Sequence, residues 1–164
     1  MSKRSHLFSL FNSLEIEHET VEHPPLFTVA DTLLLTDEIP GAHTKNLFLK
    51  DDNRQFWLVS ALQETQINLR SLSKFLSAKN LRFAQPELLR QYLNVEPGSV
   101  TWFALINDEA NQVNALLDKA IFDCDLVGFH PLENTATTIV KPASLVKFAE
   151  AICHRYEILD FTIT

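Results

Sequence analysis

The sequence predicts an α/β fold built on a mixed sheet. Segments with apolar residues at helical spacing alternate with short runs rich in β-branched and aromatic residues. Hydrophobic residues make up 46%, twelve of them Phe, which is enough apolar surface for a packed core. At 164 residues, the length predicts one domain spanning residues 1–164. No internal repeat, low-complexity run or linker interrupts it.

Residues 5–14 carry Leu7, Phe8, Leu10, Phe11 and Leu14, one apolar helical face that Ser5 can cap. Residues 16–23 read as a strand, which Pro24 and Pro25 end. Thr28 with Asp31 three residues on signals a helix start, and the helix runs through residues 33–35. Pro40-Gly41 is a turn. Residues 45–50 and 56–62 form a hairpin turning at 51–54, and the almost wholly apolar second strand is predicted to be central. Asn68 caps a helix with Leu69, Leu72, Phe75 and Leu76 on its inner side. A short strand at 81–84 precedes a helix that starts at Pro86. Pro97-Gly98 turns the chain into residues 99–106, whose apolar run fits a strand or a buried helix equally. Strands follow at 113–117 and 126–130, with a turn at 119–123. A helix begins at Pro142 with Leu145, Val146, Phe148, Ala149 and Ile152 inward, and a last strand covers 156–161.

Composition excludes several classes. No run approaches the length of a membrane-spanning helix, and the first eight residues alternate polar and apolar too early for a signal-peptide core. Cys124 and Cys153 have neither metal-ligand spacing nor a disulfide framework, so a reducing cytoplasm is expected. The six histidines are scattered without a paired ligand motif, so a structural zinc site is not expected. A net charge of −7 argues against a protein that coats DNA or RNA non-specifically, while leaving room for a local basic patch.

The chemistry is predicted to centre on residues 128–138, Gly-Phe-His-Pro-Leu-Glu-Asn-Thr-Ala-Thr-Thr. Gly128 permits close backbone approach or a positive φ, and Pro131 stiffens the loop around His130. Such a loop can present backbone N–H groups to an anion. An ordinary turn with a surface histidine fits the same residues.

Three motifs, taken together, resemble the bacterial prolyl-tRNA editing domain family, and most closely its free-standing branch. They are His43-Thr44-Lys45-Asn46-Leu47-Phe48-Leu49-Lys50-Asp51, Pro97-Gly98-Ser99-Val100, and Gly128-Phe129-His130-Pro131-Leu132 with Asn134-Thr135-Ala136-Thr137-Thr138. His23-Pro24-Pro25-Leu26-Phe27-Thr28 matches that branch's entrance segment. The resemblance covers nearly the whole chain from about residue 5. It implies a compact α/β fold with a curved, largely antiparallel sheet. It also implies hydrolysis of mischarged tRNA, chiefly alanyl-tRNA of the proline acceptor, without a metal or organic cofactor, and with tRNA and prolyl-tRNA synthetase as partners and no membrane or DNA. The family's lysine falls on Lys45 and its glycine–proline loop on residues 128–131, with His130 at the matching histidine. Trp102 departs from the pattern, where a smaller residue is expected.

An aminoacyl ester is already activated. Its hydrolysis requires orientation, oxyanion stabilisation and a water, and no Gly-x-Ser-x-Gly nucleophile elbow is present. The resemblance implies that the substrate's neighbouring ribose hydroxyl helps activate that water. Residues 128–130 are expected to supply oxyanion donors, and Lys45 to hold the terminal phosphate or ribose. Asn46 should face away from Lys45 on a regular strand, and either touches substrate or braces the sheet. Leu33, Phe129, Pro131 and Ser99 are candidate pocket residues. Leu34 reads as plain core. Lys50, Arg54, Lys74, Lys79, Arg82 and Arg90 are available to dock RNA or to line a solvated surface. A deacylase for cysteine or serine esters and a non-catalytic tRNA- or synthetase-binding module are the alternatives.

Overall fold

The computed structural model describes residues 2–25 and 39–164. Leu33, Leu34 and the helix expected after Thr28 lie outside the described residues. Helix α1 (Lys3–Ser13) buries Leu7 and Phe11 completely. Its cap is Ser2, which accepts the Ser5 N–H, so the helix starts a turn earlier than the sequence suggested. Strand β1 (Glu19–Glu22) follows. The next strands, β2 (Ala42–Lys50) and β3 (Phe56–Leu62), form the expected hairpin, in register from Thr44 opposite Leu62 to Lys50 opposite Phe56. Every residue of β3 is buried, which is why its sequence does not alternate.

The remaining elements are α2 (Leu69–Phe75), β4 (Arg82–Phe83), α3 (Pro86–Leu93), a 3-10 helix η1 (Trp102–Asn107), β5 (Val113–Asp118), a second 3-10 helix η2 (Lys119–Asp123), β6 (Val127–Phe129), β7 (Ala136–Val140), α4 (Pro142–Ala151) and β8 (Glu157–Leu159). Among the described residues eight strands make one mixed sheet in the order β1-β7-β6-β2-β3-β5-β8, with β4 on the flank of β2. Four of its seven pairings are antiparallel, as the largely antiparallel expectation required.

Each face of the sheet has its own core. Phe48, Phe56 and Leu58 face α1, α3, η1 and α4, where Phe11, Phe103 and Phe148 meet edge to face at centroid separations of 5.0–6.0 Å. Leu49, Trp57, Val59 and Leu116 face the other way, against Leu72 of α2. Even-numbered residues of β2 therefore point to the larger core and odd-numbered ones to the smaller.

Several expectations are corrected. The ambiguous run at 99–106 becomes η1, and the turn at 119–123 becomes η2. Phe75, placed inward from its spacing, is 49% exposed, because the seven-residue α2 ends there. Gly128 and Phe129 belong to β6, and Ala136 and Thr137 to β7, so the connecting loop shrinks to residues 130–135. Trp102 is fully buried and its indole N–H donates to the Leu145 carbonyl (3.1 Å). The departure from the family pattern is thus a core plug between η1 and α4.

Candidate functional site

Strand β2 runs parallel to β6 only as far as Ala42 opposite Val127 and His43 opposite Gly128. Beyond that point β6 turns away at His130. On the same edge β2 meets β4 only at Leu49 and Lys50. The gap between these pairings is lined by His43, Thr44, Asn46, Gly128, Phe129, His130 and Thr137, and encloses ≈ 50 Å³. That is a few times the least volume that admits a water, about 10–15 Å³.

Gly128 does not adopt the positive φ that was one of its two expected uses. It lies in a regular strand, and positive φ occurs instead at Gly41 and Gly98. A Cβ at Gly128 would meet Thr137 Cγ2 at 2.8 Å. The threonine is not free to give way, because its hydroxyl bonds His23 Nε2 (2.8 Å). His23 Nδ1–H donates to the Pro24 carbonyl (2.8 Å), so in the neutral ring Nε2 accepts from the Thr137 hydroxyl, and in the protonated ring Nε2–H donates to it. The missing methylene at position 128 therefore lets β7 carry Thr137 close enough to hold His23.

The expected row of backbone donors at residues 128–130 is also altered. Within a strand, the N–H and C=O of one residue point to the same edge. The Gly128 carbonyl accepts the Thr44 hydroxyl (2.6 Å), so the Gly128 N–H faces β2 as well. The Phe129 N–H faces β7, where Thr138 is its partner. Only the His130 N–H lies outside both ladders.

The His130 ring packs against the His23 ring (6.2 Å between centroids), and its Nδ1–H donates to the Ala136 carbonyl (3.0 Å). That bond selects the tautomer with the lone pair on Nε2. Burial pushes the His130 pKa down, the bond to Ala136 opposes the shift, and the charge of His23 adds to it. The ring is accordingly neutral at pH 7 and able to accept a hydrogen bond. The loop behind it turns through Leu132 at φ 69°, a left-handed conformation that costs a leucine energy. Arg4 ties this loop down by pairing Glu133 as well as Glu22. Pro131 is buried beneath it.

Lys45 and Asn46 face opposite ways, as their alternation requires. Asn46 Oδ1 accepts the hydroxyl of fully buried Ser60 (2.5 Å). Lys45 shares its face with His43 and Gly128, and its ammonium donates to the Thr65 carbonyl. That carbonyl is fixed in turn: Asp118, 2% exposed, accepts the Thr65 hydroxyl (2.5 Å) and the N–H groups of Leu62 and Ala120. Among the described residues no carboxylate pairs with Lys45.

Of the expected pocket residues, Phe129 serves the core as well as the gap and Ser99 falls elsewhere. Phe129 touches the gap, but its ring is 2% exposed and packs on Phe103 (5.7 Å), so it is a core residue before it is a wall. Ser99 is buried in the turn between α3 and η1, where its N–H donates to the Glu96 carbonyl, and it does not line the gap. His43 and Thr137 were not singled out from sequence. For His43 the signal was available, since it precedes Lys45 by two residues and must share its face. Its Nε2 is buried and has no hydrogen-bond partner among the described residues.

Comparison with known proteins gives a consistent picture. The family model described as the aminoacyl-tRNA editing domain matches residues 23–148. A "Prolyl-tRNA synthetase associated domain-containing protein 1" from Danio rerio is 38% identical over 160 residues, covering 96% of this chain and 87% of its own. The "Prolyl-tRNA editing protein ProX" of Acetoanaerobium sticklandii is 29% identical over 161 residues, covering 98% of each. A solved structure described as a candidate trans-editing enzyme for prolyl tRNA synthetase shares the fold, with a TM-score of 0.73 at 15% identity over 98% of this chain and 96% of that one.

Proposed function

The chain belongs to the aminoacyl-tRNA editing domain family, and we propose that it is a trans-acting hydrolase, a single editing domain that removes alanine from tRNA of the proline acceptor. The observation that carries this reading is the parting of β2 from β6, which leaves His43, Gly128 and His130 lining a small gap, with Lys45 two residues beyond His43 on the same face of β2.

In this reading the ammonium of Lys45 leaves the Thr65 carbonyl and holds the terminal phosphate or ribose. Neutral His130 accepts a hydrogen bond from the ribose hydroxyl or the substrate's amino group through Nε2. Its backbone N–H is the donor left to steady the oxyanion. Water attacks the ester carbonyl carbon, aided by the vicinal ribose hydroxyl. The acyl carbon–oxygen bond to ribose breaks, the proton from water ends on the ribose oxygen, and alanine leaves as the free acid. Asn46 braces β2 against β3 through Ser60. A gap of ≈ 50 Å³ suits a methyl side chain and rejects a pyrrolidine ring by overlap.

The partner is aminoacylated tRNA at its acceptor end. Prolyl-tRNA synthetase, for which the animal relatives are named, is a second partner. Of the polar side chains lining the gap, His43, whose Nε2 has no partner among the described residues, favours a serine or cysteine ester as the second substrate class.

The test is deacylation of alanyl-, prolyl- and seryl-tRNA by the purified protein. Loss of alanine with proline spared is the expected outcome. Loss of serine alone keeps the chemistry and changes the substrate. Binding of tRNA with no hydrolysis of any ester would leave a non-catalytic module.

A further inference from the structure

Where β2 and β6 part, the β6 side offers one backbone donor outside the ladders. Successive amides along a strand point to opposite edges, and Pro131 keeps His130 extended. The His130 N–H therefore shares an edge with the Gly128 N–H, the edge that faces β2. At Gly128 that edge is paired, with His43 opposite; by His130 the pairing has ended. An oxyanion hole combines such backbone groups with side-chain donors, histidine among them. A donor on the β2 side of the gap would complete one here.

Among the polar side chains that line the gap, His43 is the one without a hydrogen bond to a described residue. The Thr44 hydroxyl donates to the Gly128 carbonyl, and Asn46 Oδ1 accepts the Ser60 hydroxyl. Thr137 is bonded to His23, and His130 Nδ1–H donates to the Ala136 carbonyl. His43 Nε2 is enclosed and unmatched. Burial of an unmatched polar atom opposes folding, so it calls for a reason. His43 lies opposite Gly128 and shares its side of the sheet. With no side chain at position 128, nothing from that position stands between the imidazole and the gap. No hydrogen bond to a described residue fixes the tautomer, so Nε2 can carry the proton.

We propose that His43 is a catalytic residue whose Nε2–H is the second donor to the oxyanion formed at the ester carbonyl, beside the His130 N–H. The inference rests on the editing reading and deepens it, by naming a side chain that stabilises the tetrahedral intermediate. Water adds to the carbonyl carbon, and the carbonyl π electrons move onto its oxygen, where the two N–H groups hold the charge. The electron pair returns to carbon as the bond to the ribose oxygen breaks. His43 neither gains nor loses a proton. Because the donor matters most while the oxygen is charged, it acts on kcat rather than on ground-state binding.

Two measurements test it. The first compares His43→Phe, which keeps a ring and removes the N–H, and His43→Gln, which keeps an N–H, with wild type on alanyl-tRNA and propionyl-tRNA. For His43→Phe the expected result is a kcat about a hundredfold lower on both esters, with KM within about twofold. Its Tm should be no lower than wild type, because the unmatched nitrogen is gone. His43→Gln should recover about tenfold or more of the lost kcat. An unchanged kcat in His43→Phe would overturn the donor while leaving the hydrolase standing. A loss confined to alanyl-tRNA would also overturn it, by assigning Nε2 to the substrate's amino group. The second measurement needs no hydrolysis. Adenosine 3′-(1-aminoethyl)phosphonate carries a tetrahedral anion in place of the ester carbonyl, and 3′-alanylamido-3′-deoxyadenosine keeps the planar carbonyl. Calorimetry should show wild type binding the phosphonate at least about tenfold tighter than the amide, and His43→Phe losing that preference. A wild type with no preference, or a His43→Phe protein that keeps it, would refute the donor whether or not the protein deacylates tRNA.

Discussion

The two faces of β2 are made from alternating residues of one nine-residue strand, and they do different work. On the even face, Thr44 bonds the Gly128 carbonyl, Asn46 bonds buried Ser60, and Phe48 enters the aromatic core. Those side chains have protein partners. On the odd face, among the described residues, His43 has a buried nitrogen without a partner and Lys45 rests on a carbonyl with no carboxylate paired to it. A polar group left unmatched by a fold that satisfies its neighbours is a group held ready for something else. The difference separates residues that keep the strand in place from residues that await a ligand.

The comparison breaks most visibly at Phe129. It borders the gap, yet its ring belongs to the core with Phe103. Phe129→Ala is expected to cost about 3–5 kcal/mol of stability. Urea unfolding would show this as a lower midpoint. A pocket wall with no core role would instead leave the midpoint alone and relax selectivity against proline.

Gly128→Ala sharpens the comparison from the other side. The added methyl group overlaps Thr137 Cγ2 and disturbs the hold on His23. An overpacking cost of about 1–3 kcal/mol and a fall of ten- to hundredfold in kcat/KM are expected. Thr137→Ser removes the clashing methyl and keeps the hydroxyl, so the double variant should recover much of both losses. A double variant no better than Gly128→Ala would place the fault elsewhere.

The smallest effect is on pH. His130 has its pKa lowered by burial, so the unfolded chain takes up the proton first as pH falls. Its contribution to stability is complete above the ordinary histidine range and declines as pH drops from about 6.5 through its folded-state pKa. Deacylation should decline over the same window as the ring becomes a cation and Nε2 stops accepting. His18, also lowered by burial, adds to the stability change. His130→Asn should flatten the activity profile and leave the His18 part of the stability profile. An unchanged activity profile would remove the ring from the chemistry.

Much of this was legible in the sequence because it is local. Asn68 as a cap, Pro86 at a helix start and the opposed faces of Lys45 and Asn46 each follow from a few adjacent residues. What was not legible depends on register between distant segments. Gly128 is small because Thr137, nine residues on, is brought against it by the β6–β7 pairing. The same pairing turns successive amides to opposite edges, which a loop drawn over residues 128–138 could not show. Phe129 and Trp102 point into the core for the same reason: an apolar run records that burial occurs and not which layer receives it. The motifs drew Lys45, Gly128 and His130 into one family site; in the fold Lys45 and Gly128 share a face, and His130 lines the gap beside Gly128. Ser99, drawn from the same motifs, lies in a turn away from the gap.

The division between the faces is tested most directly by Lys45→Ala and Asn46→Ala, measured side by side for deacylation of alanyl-tRNA and for Tm. Lys45→Ala should lose about ten- to hundredfold in kcat/KM, the worth of one charged hydrogen bond, with Tm close to wild type. Asn46→Ala strands the buried Ser60 hydroxyl at a cost of about 1–3 kcal/mol, and should lower Tm while kcat/KM stays within about threefold. The reverse pattern, or two variants that lose activity and stability alike, would contradict the account.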